Sequence, residues 1–364
     1  MQPAQPNDGV RRHRIAVIGG DGVGPEVVAA GLRVLRRAAE LDGGFELVTD
    51  ELPWGSDYYG EHGAMAPEDF LETLRGYDAI YLGAVGSPAV PDHVTLWGLL
   101  LPIRQVFDLY VNLRPVRLMA GIDGPLREKG VEDIQMMCVR ENTEGEYCGA
   151  GGRVHEGLDM EVGLQTDVFT RVGVERIARY SFELARTRSK RLASVTKSNA
   201  GRHAFVFWDK IVAEVARDYP DVELERVLVD AAAAHFVTDP ARFDVVVGSN
   251  LFMDVLTDLG AVIQGGMGVA ASANVNPQGG VPGMFEPVHG SAPDIAGQGI
   301  ANPIGAVWSG AMMLEHLGES AAGETVREAM EQVLESRRAH TRDLGGTAST
   351  SEVADALVAA MEQS

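Results

Sequence analysis

Cysteine, lysine and long apolar runs are all scarce in this chain. Cys138 and Cys148 are its only cysteines, too few for a disulfide framework, and a reduced cytoplasm is the compartment that fits. No apolar run reaches membrane-spanning length. The N-terminal stretch MQPAQPNDGVRRHR carries a few arginines, but no apolar segment long enough for a signal peptide follows them; a short disordered leader is expected. The net charge of −21 leaves no room for a basic face, which excludes nucleic acid and anionic membranes as partners. An anionic substrate then requires a local cluster of arginines. No internal repeat is visible, and the short tract Ala231 to Ala234 is the only low-complexity segment.

What is present is ample core material, 45% hydrophobic over 364 residues, enough for two lobes or one large α/β unit. Strand-like runs alternate with helical ones. Ile15 to Ile18 reads as a buried strand, followed by the turn Gly19-Gly20-Asp21-Gly22-Val23-Gly24-Pro25-Glu26 and a helix to about Glu40, with Pro25 in its first turn. That turn is not a dinucleotide fingerprint, because the third glycine position is Pro25. Further strands are expected at Ala79 to Leu82, Ile134 to Val139, Leu192 to Thr196, Val227 to Val229 and Val245 to Val247, with helices at Phe169 to Arg186 and about His203 to Asp218. C-terminal helices are expected at Ile304 to Leu317, Glu324 to Arg338 and Ser351 to Met361. Alternating strands and helices imply a largely parallel sheet, in which ligands gather at strand carboxyl ends. Arg140, Lys197, Asp230 and Ser249 all fall just after expected strands and are expected to share one cleft.

The stretch from Val246 to Pro303 is the densest in chemistry. Ser249 or Asn250 can cap a helix on which Asp254 and Asp258 lie four apart, so two carboxylates share a face. The pair is either a solvated acidic face or half of a site for a hard divalent cation. A long Gly-, Pro- and Asn-rich tract follows, containing His289-Gly290-Ser291-Ala292-Pro293-Asp294. Glycines there permit backbone N–H groups to approach a phosphate, and Asp294 can accept from a ribose diol.

NLFMDVLTD followed by FEPVHGSAPDIAGQGIANP resembles the metal helix and cofactor loop of the β-decarboxylating hydroxyacid dehydrogenases, which include isopropylmalate, isocitrate and tartrate/D-malate dehydrogenases. The similarity runs from Ile15 to about Met361. It implies an isopropylmalate/isocitrate dehydrogenase-like α/β fold, not a Rossmann fold, with a cofactor lobe (1–110 and 266–364) and a substrate and dimer lobe (111–265). A two-stranded arm at about 145–165 is implied at the interface of a homodimer. The resemblance implies that Arg104, Arg114 and Arg140 hold the substrate carboxylates beside Leu100, and that Asp230, Asp254 and Asp258 bind Mg²⁺ or Mn²⁺. Lys197 is implied as base, Tyr147 as the proton donor to carbon, and Lys197 and Asp230 as reaching into the partner's cleft. Glu286, His289, Gly290, Ser291, Ala292, Asp294 and Asn302 are implied as cofactor-binding, with Asp294 favouring NAD over NADP; a monovalent cation such as K⁺ is a further family cofactor. The run VPDHVTLWG, with GSDYYGEHG and TKSNA, resembles the tartrate/D-malate group most. Leu99, Pro102 and Met253 depart from that group's usual serine, lysine and glycine. Oxidative decarboxylation of D-malate or tartrate is therefore the expected activity, with 3-isopropylmalate oxidation or a non-catalytic regulatory subunit as alternatives.

Overall fold

The computed structural model describes residues 9–363. Its strands are β1 (Arg11–Gly20), β2 (Phe45–Glu51), β3 (Ala79–Ala84), β4 (Val111–Arg117), β5 (Gln135–Glu141), β6 (Gly151–Val154), β7 (Val162–Gln165), β8 (Arg191–Thr196), β9 (Glu223–Leu228), β10 (Val245–Gly248), β11 (Ala271–Val275) and β12 (Gly283–Pro287). Ten of them form one sheet in the order β2-β1-β3-β12-β11-β4-β5-β10-β8-β9. The outer pairings on both sides are parallel, as the alternation of strands and helices implies. The three central pairings, β12 with β11, β11 with β4 and β4 with β5, are antiparallel. Two parallel blocks thus run in opposite senses and meet at an antiparallel seam.

The seam places a set of polar residues on one face. Side chains alternate along a strand, so Asn112 and Arg114 share a face of β4, as do Ser272 and Asn274 on β11. The register sets Asn274 opposite Asn112, Arg140 opposite Asn112, and Ser272 opposite Glu286. Cross-strand neighbours of this kind interact directly. Asn112 Nδ2 donates to Ser272 Oγ at 2.9 Å and to Asn274 Oδ1 at 3.0 Å, and Asn142 Nδ2 also donates to Asn274 Oδ1 at 3.0 Å.

Helices cover the sheet. Gly24–Asp42 carries Pro25 in its first turn as expected and ends on Gly43 in the left-handed region (φ 72°). Arg171–Arg186 is capped by Thr170, whose hydroxyl accepts from the Gly173 N–H. Ile304–His316, apolar on nearly every side, is buried almost throughout. The strands β6 and β7 form the separate two-stranded arm; among the described residues these strands pair only with each other, and Val154, Leu158, Met160, Val162 and Leu164 are exposed there.

Two expectations are corrected, and two strands appear in a tract where none was expected. The leader was expected to run through Arg14; residues 1–8 lie outside the described residues, but Arg11–Arg14 begin β1, and Arg11 and His13 both bond the buried Glu319. The Gly-, Pro- and Asn-rich tract after Ile263 supplies β11 and β12, which complete the centre of the sheet. Ser249 occupies the N-cap position of helix Asn250–Ile263, but its side chain does not cap it. Among the described residues no helix is long and apolar enough to cross a membrane.

Candidate active site

The polar face of the seam is the floor of a cleft of about 730 Å³. Arg104, Arg114 and Arg140 line it, all buried. A buried guanidinium needs hydrogen-bonded partners, and each has at least one, although the Arg104 Nε is buried without one among the described residues. Arg104 donates to Glu286 Oε1 at 2.6 Å. Arg114 donates to Asn112 Oδ1 at 2.9 Å and Thr257 Oγ1 at 2.7 Å, with Asp254 at 3.6 Å and Asp258 at 4.0 Å. Arg140 donates twice to Asn250 Oδ1, at 2.9 and 2.7 Å, and once to Asp254. The Tyr147 hydroxyl donates to Asp254 Oδ2 at 3.3 Å, and the Arg140 guanidinium lies 5.7 Å from its ring centre.

Asp254 and Asp258 share a face of helix Asn250–Ile263. Burial pushes the Asp254 carboxyl up, but Arg140, Arg114 and Arg104 together outweigh it and hold the group below its ordinary value. Burial pushes Asp258 up, with Asp254 adding to the rise. Burial lowers Arg140 to about 10, which still leaves it charged at neutral pH. Tyr147 is raised, first by burial and then by Asp254, so it holds its proton.

One wall of the cleft is a helix running from Asp92 to Val106. Asp92, His93, Leu96, Trp97, Leu100, Leu101 and Arg104 line the cleft from it. That four-residue repeat would rotate away from the cleft on a regular α-helix; the wider π turn at Leu96–Leu100 keeps it facing in. Leu99 points into the core, fully buried, so Leu100 and Leu101 meet the cleft and Leu99 does not. Trp97 lies against Gly149, where an added Cβ would sit 2.7 Å from the indole.

The glycine turn after β1 packs on the HGSAPD loop. The Val23 N–H donates to Ser291 O at 2.8 Å, and a Cβ on Gly22 (φ +59°) would collide with that carbonyl. Asp21 accepts from the Ser56 N–H, the Ser56 hydroxyl and the Gly86 N–H, each at 2.7 Å, tying three loops together. His289 lines the cleft; burial lowers its pKa, and its Nε2 is buried without a partner among the described residues. An orphaned buried nitrogen beside glycine-rich backbone fits a polar cofactor group.

The cleft therefore brings together Arg104, Arg114, Arg140, Leu100, Tyr147, Asp254, Glu286, His289 and Gly290, with Asp258 at its margin. Ser291, Ala292 and Asp294 continue along the loop beyond the cleft lining, and Asp294 is exposed. Asn302 is buried and already engaged, donating to Asp343 Oδ2 at 3.0 Å and accepting from the Ile304 N–H at 3.0 Å. Glu286 sits on the floor, bonded to Arg104 and Asn274. Lys197 and Asp230 pair with each other at 2.5 Å, and neither lines the cleft of this chain. Within one chain, Arg140, Lys197, Asp230 and Ser249 therefore do not share one cleft, although all four follow or end strands. The cleft lies over the seam, on the sheet's face, and of these four only Arg140, within β5, lines it. Among the described residues no three His, Cys, Asp or Glu side chains of one chain are grouped to hold a metal. The oxygen donors Asp254 and Asp258 are nonetheless of the kind a hard divalent cation takes, needing further ligands.

Sequence reasoning missed Glu146, Asn112, Asn250, Thr257, Ser272 and Asn274. Asn112 lies two residues before Arg114, the spacing that shares a strand face, and that was the available signal.

A mixed sheet with an arginine-lined cleft over its seam, two helix carboxylates and a tyrosine offers donors suited to carboxylate groups. Residues 14–357 match the family model described as isocitrate/isopropylmalate dehydrogenase, and the chain belongs to that family of dehydrogenases. It is 52% identical over 349 residues to a probable tartrate dehydrogenase/decarboxylase of Agrobacterium vitis, covering 96% of this chain and 97% of that one. It is 51% identical over 352 residues to a decarboxylating D-malate dehydrogenase of Escherichia coli (strain K12), covering 94% and 97%. The crystal structure of isocitrate dehydrogenase from Methylococcus capsulatus superimposes with a TM-score of 0.87 at 35% identity, covering 96% of this chain and all of that one.

Proposed function

We propose that this protein catalyses the NAD-dependent oxidative decarboxylation of a 2-hydroxy dicarboxylate, D-malate or tartrate. One observation carries the reading: three buried arginines converge on a cleft in which Asp254 also accepts the Tyr147 hydroxyl. Planar guanidiniums suit carboxylates, and an acidic protein needs such a cluster to attract a dianion. Arg104, Arg114 and Arg140 hold the two substrate carboxylates, giving up part of their present bonding to Glu286, Thr257 and Asp254. Lys197 of the partner subunit takes the C2 hydroxyl proton. When bound, Mg²⁺ or Mn²⁺ on Asp254, Asp258 and Asp230 of the partner subunit would polarise the C2 hydroxyl and stabilise the developing enolate. NAD would supply the hydride acceptor, held by the loop from Glu286 through His289–Asp294 to Asn302. Tyr147 gives its hydroxyl proton to the carbon from which CO₂ has left.

This reading assigns 1–110 and 266–364 to a cofactor lobe and 111–265 to a substrate lobe. It also makes the molecule a homodimer in the cytoplasm, Lys197 and Asp230 crossing to the other chain's cleft. Exposed Asp294 repels a 2′-phosphate, which selects NAD. The apolar wall of Leu96, Trp97, Leu100 and Leu101 favours a second reading, 3-isopropylmalate oxidation. Steady-state kcat/KM for D-malate, tartrate and 3-isopropylmalate separates the two. The first reading expects D-malate or tartrate to lead, and a lead for 3-isopropylmalate overturns it.

A further inference from the structure

We infer that Glu146 is a positioning residue for Tyr147: its buried carboxylate fastens the Tyr147 loop to the first turn of the helix bearing Asp254. The inference rests on the reading of Tyr147 as the proton donor to carbon.

Glu146 is 6% exposed, and among the described residues no cation pairs with it. A buried carboxylate without a counter-charge must be satisfied by hydrogen bonds. Its donors are the Ser249 hydroxyl to Oε1 at 2.6 Å and the Leu251 N–H to Oε2 at 3.1 Å. Both lie at the start of helix Asn250–Ile263, where N–H groups are unpaired and the helix dipole favours an anion. Ser249 makes no side-chain cap to its own helix; the Glu146 carboxylate accepts both its hydroxyl and the Leu251 N–H, and so acts as the cap from a segment 103 residues away.

The same loop is tied twice more. Asn250 Nδ2 donates to Glu144 O at 3.1 Å, and Gln165 Nε2 donates to Glu146 O at 2.7 Å. One residue beyond Glu146, the Tyr147 hydroxyl meets Asp254 at 3.3 Å, a long bond that does little to hold the ring by itself. Asp254 stands about one helical turn beyond the capped end. The loop and the helix are therefore joined at two points a turn apart. The Glu146 joint sets the distance and angle at which Tyr147 faces the reacting carbon. Misplacement of a positioned group by about 1 Å costs on the order of a hundredfold in rate.

The test uses the full-length protein and whichever substrate it turns over best. It measures the undecarboxylated β-keto acid released per NADH formed against the decarboxylated keto acid product; the keto acid fraction is that of the former. Y147F, E146A, E146Q and S249A are compared with wild type. Y147F is expected to raise the keto acid fraction. E146A is expected to raise it too, with kcat lower by roughly ten- to a hundredfold and KM little changed. S249A shifts the same way to a smaller extent, and E146Q, which keeps the shape and one acceptor, recovers part of the loss. Hydrogen exchange on the protein alone gives a second readout. Amides from Asn250 to Asp254 should exchange faster in E146A and S249A, and not in Y147F. If E146A does not fold, E146Q and S249A carry the same comparison. The inference is overturned if Y147F shifts the product ratio while E146A, E146Q and S249A lower turnover at an unchanged ratio. Unchanged ratios in Y147F itself overturn the reading of Tyr147, and the inference with it.

Discussion

Glu141→Gln should change how stability depends on pH, by an amount the surroundings of the side chain set. Glu141 ends β5, next to Arg140, and is fully buried. The Thr143 N–H (3.1 Å), the Thr143 hydroxyl (3.0 Å) and the Glu144 N–H (2.8 Å) donate to it, but no cation pairs with it among the described residues. Burial pushes its pKa from 4.5 up to about 7, and the hydrogen bonds offset only part of that rise. Below 4.5 the group is protonated in both the folded and unfolded chain and has no effect on the pH dependence. Between 4.5 and about 7 the unfolded chain releases a proton that the folded chain keeps, so stability falls as pH rises. The gap corresponds to about 3 kcal/mol in full. Glutamine does not titrate. The stability of Glu141→Gln minus that of wild type should therefore rise by about 3 kcal/mol between pH 4.5 and 7.5, whatever its constant offset. Urea unfolding at one fixed protein concentration across that range measures it. A difference that stays flat, or falls, refutes the argument.

Three further outcomes follow from the site. Asp254→Asn should leave the protein folded but cut Mn²⁺-dependent turnover by more than the roughly 10–100-fold of an outer-shell change; unaltered activity with an unaltered Mn²⁺ titration removes the metal assignment. Asp294→Lys should move the NADP-to-NAD efficiency ratio toward NADP by about tenfold, and a ratio that does not move means that Asp294 does not meet the ribose diol. Lys197→Ala and Asp254→Asn should each be inactive, yet refolding them together should restore roughly a quarter of the clefts, because half the dimers are mixed and one cleft of each carries neither lesion. Mixed dimers without activity would mean that each chain completes its own site.

Most of the parallel strands were legible because β3, β8, β10 and the first part of β5 carry short, largely apolar stretches with both faces covered, whereas the edge strand β2 (Phe45–Glu51) was not read. The seam was not legible either. β4 carries Asn112, Arg114 and Pro115, β11 is small and polar, and β12 lies inside a Gly- and Pro-rich tract. Their polar residues are strand residues whose shared face is the floor of the cleft, so function disguised the strands. The arginines, Tyr147 and the Asp254 and Asp258 pair could be named from motifs. Glu146 could not, because its partners, Ser249 and Leu251, become neighbours only after folding. Lys197 and Asp230 were named as a base and a ligand; the single chain sets them against each other, apart from the cleft.

The central claim is that one cleft both oxidises a 2-hydroxy dicarboxylate and expels its carboxyl group. The most direct measurement is the ratio of CO₂ to NADH formed from D-malate with NAD and Mn²⁺ present. Captured CO₂ and absorbance are followed in the same reaction, and tartrate is run in parallel. The account predicts one CO₂ for each NADH with at least one of the two substrates. NADH without CO₂ from both, or neither product from either, would contradict it.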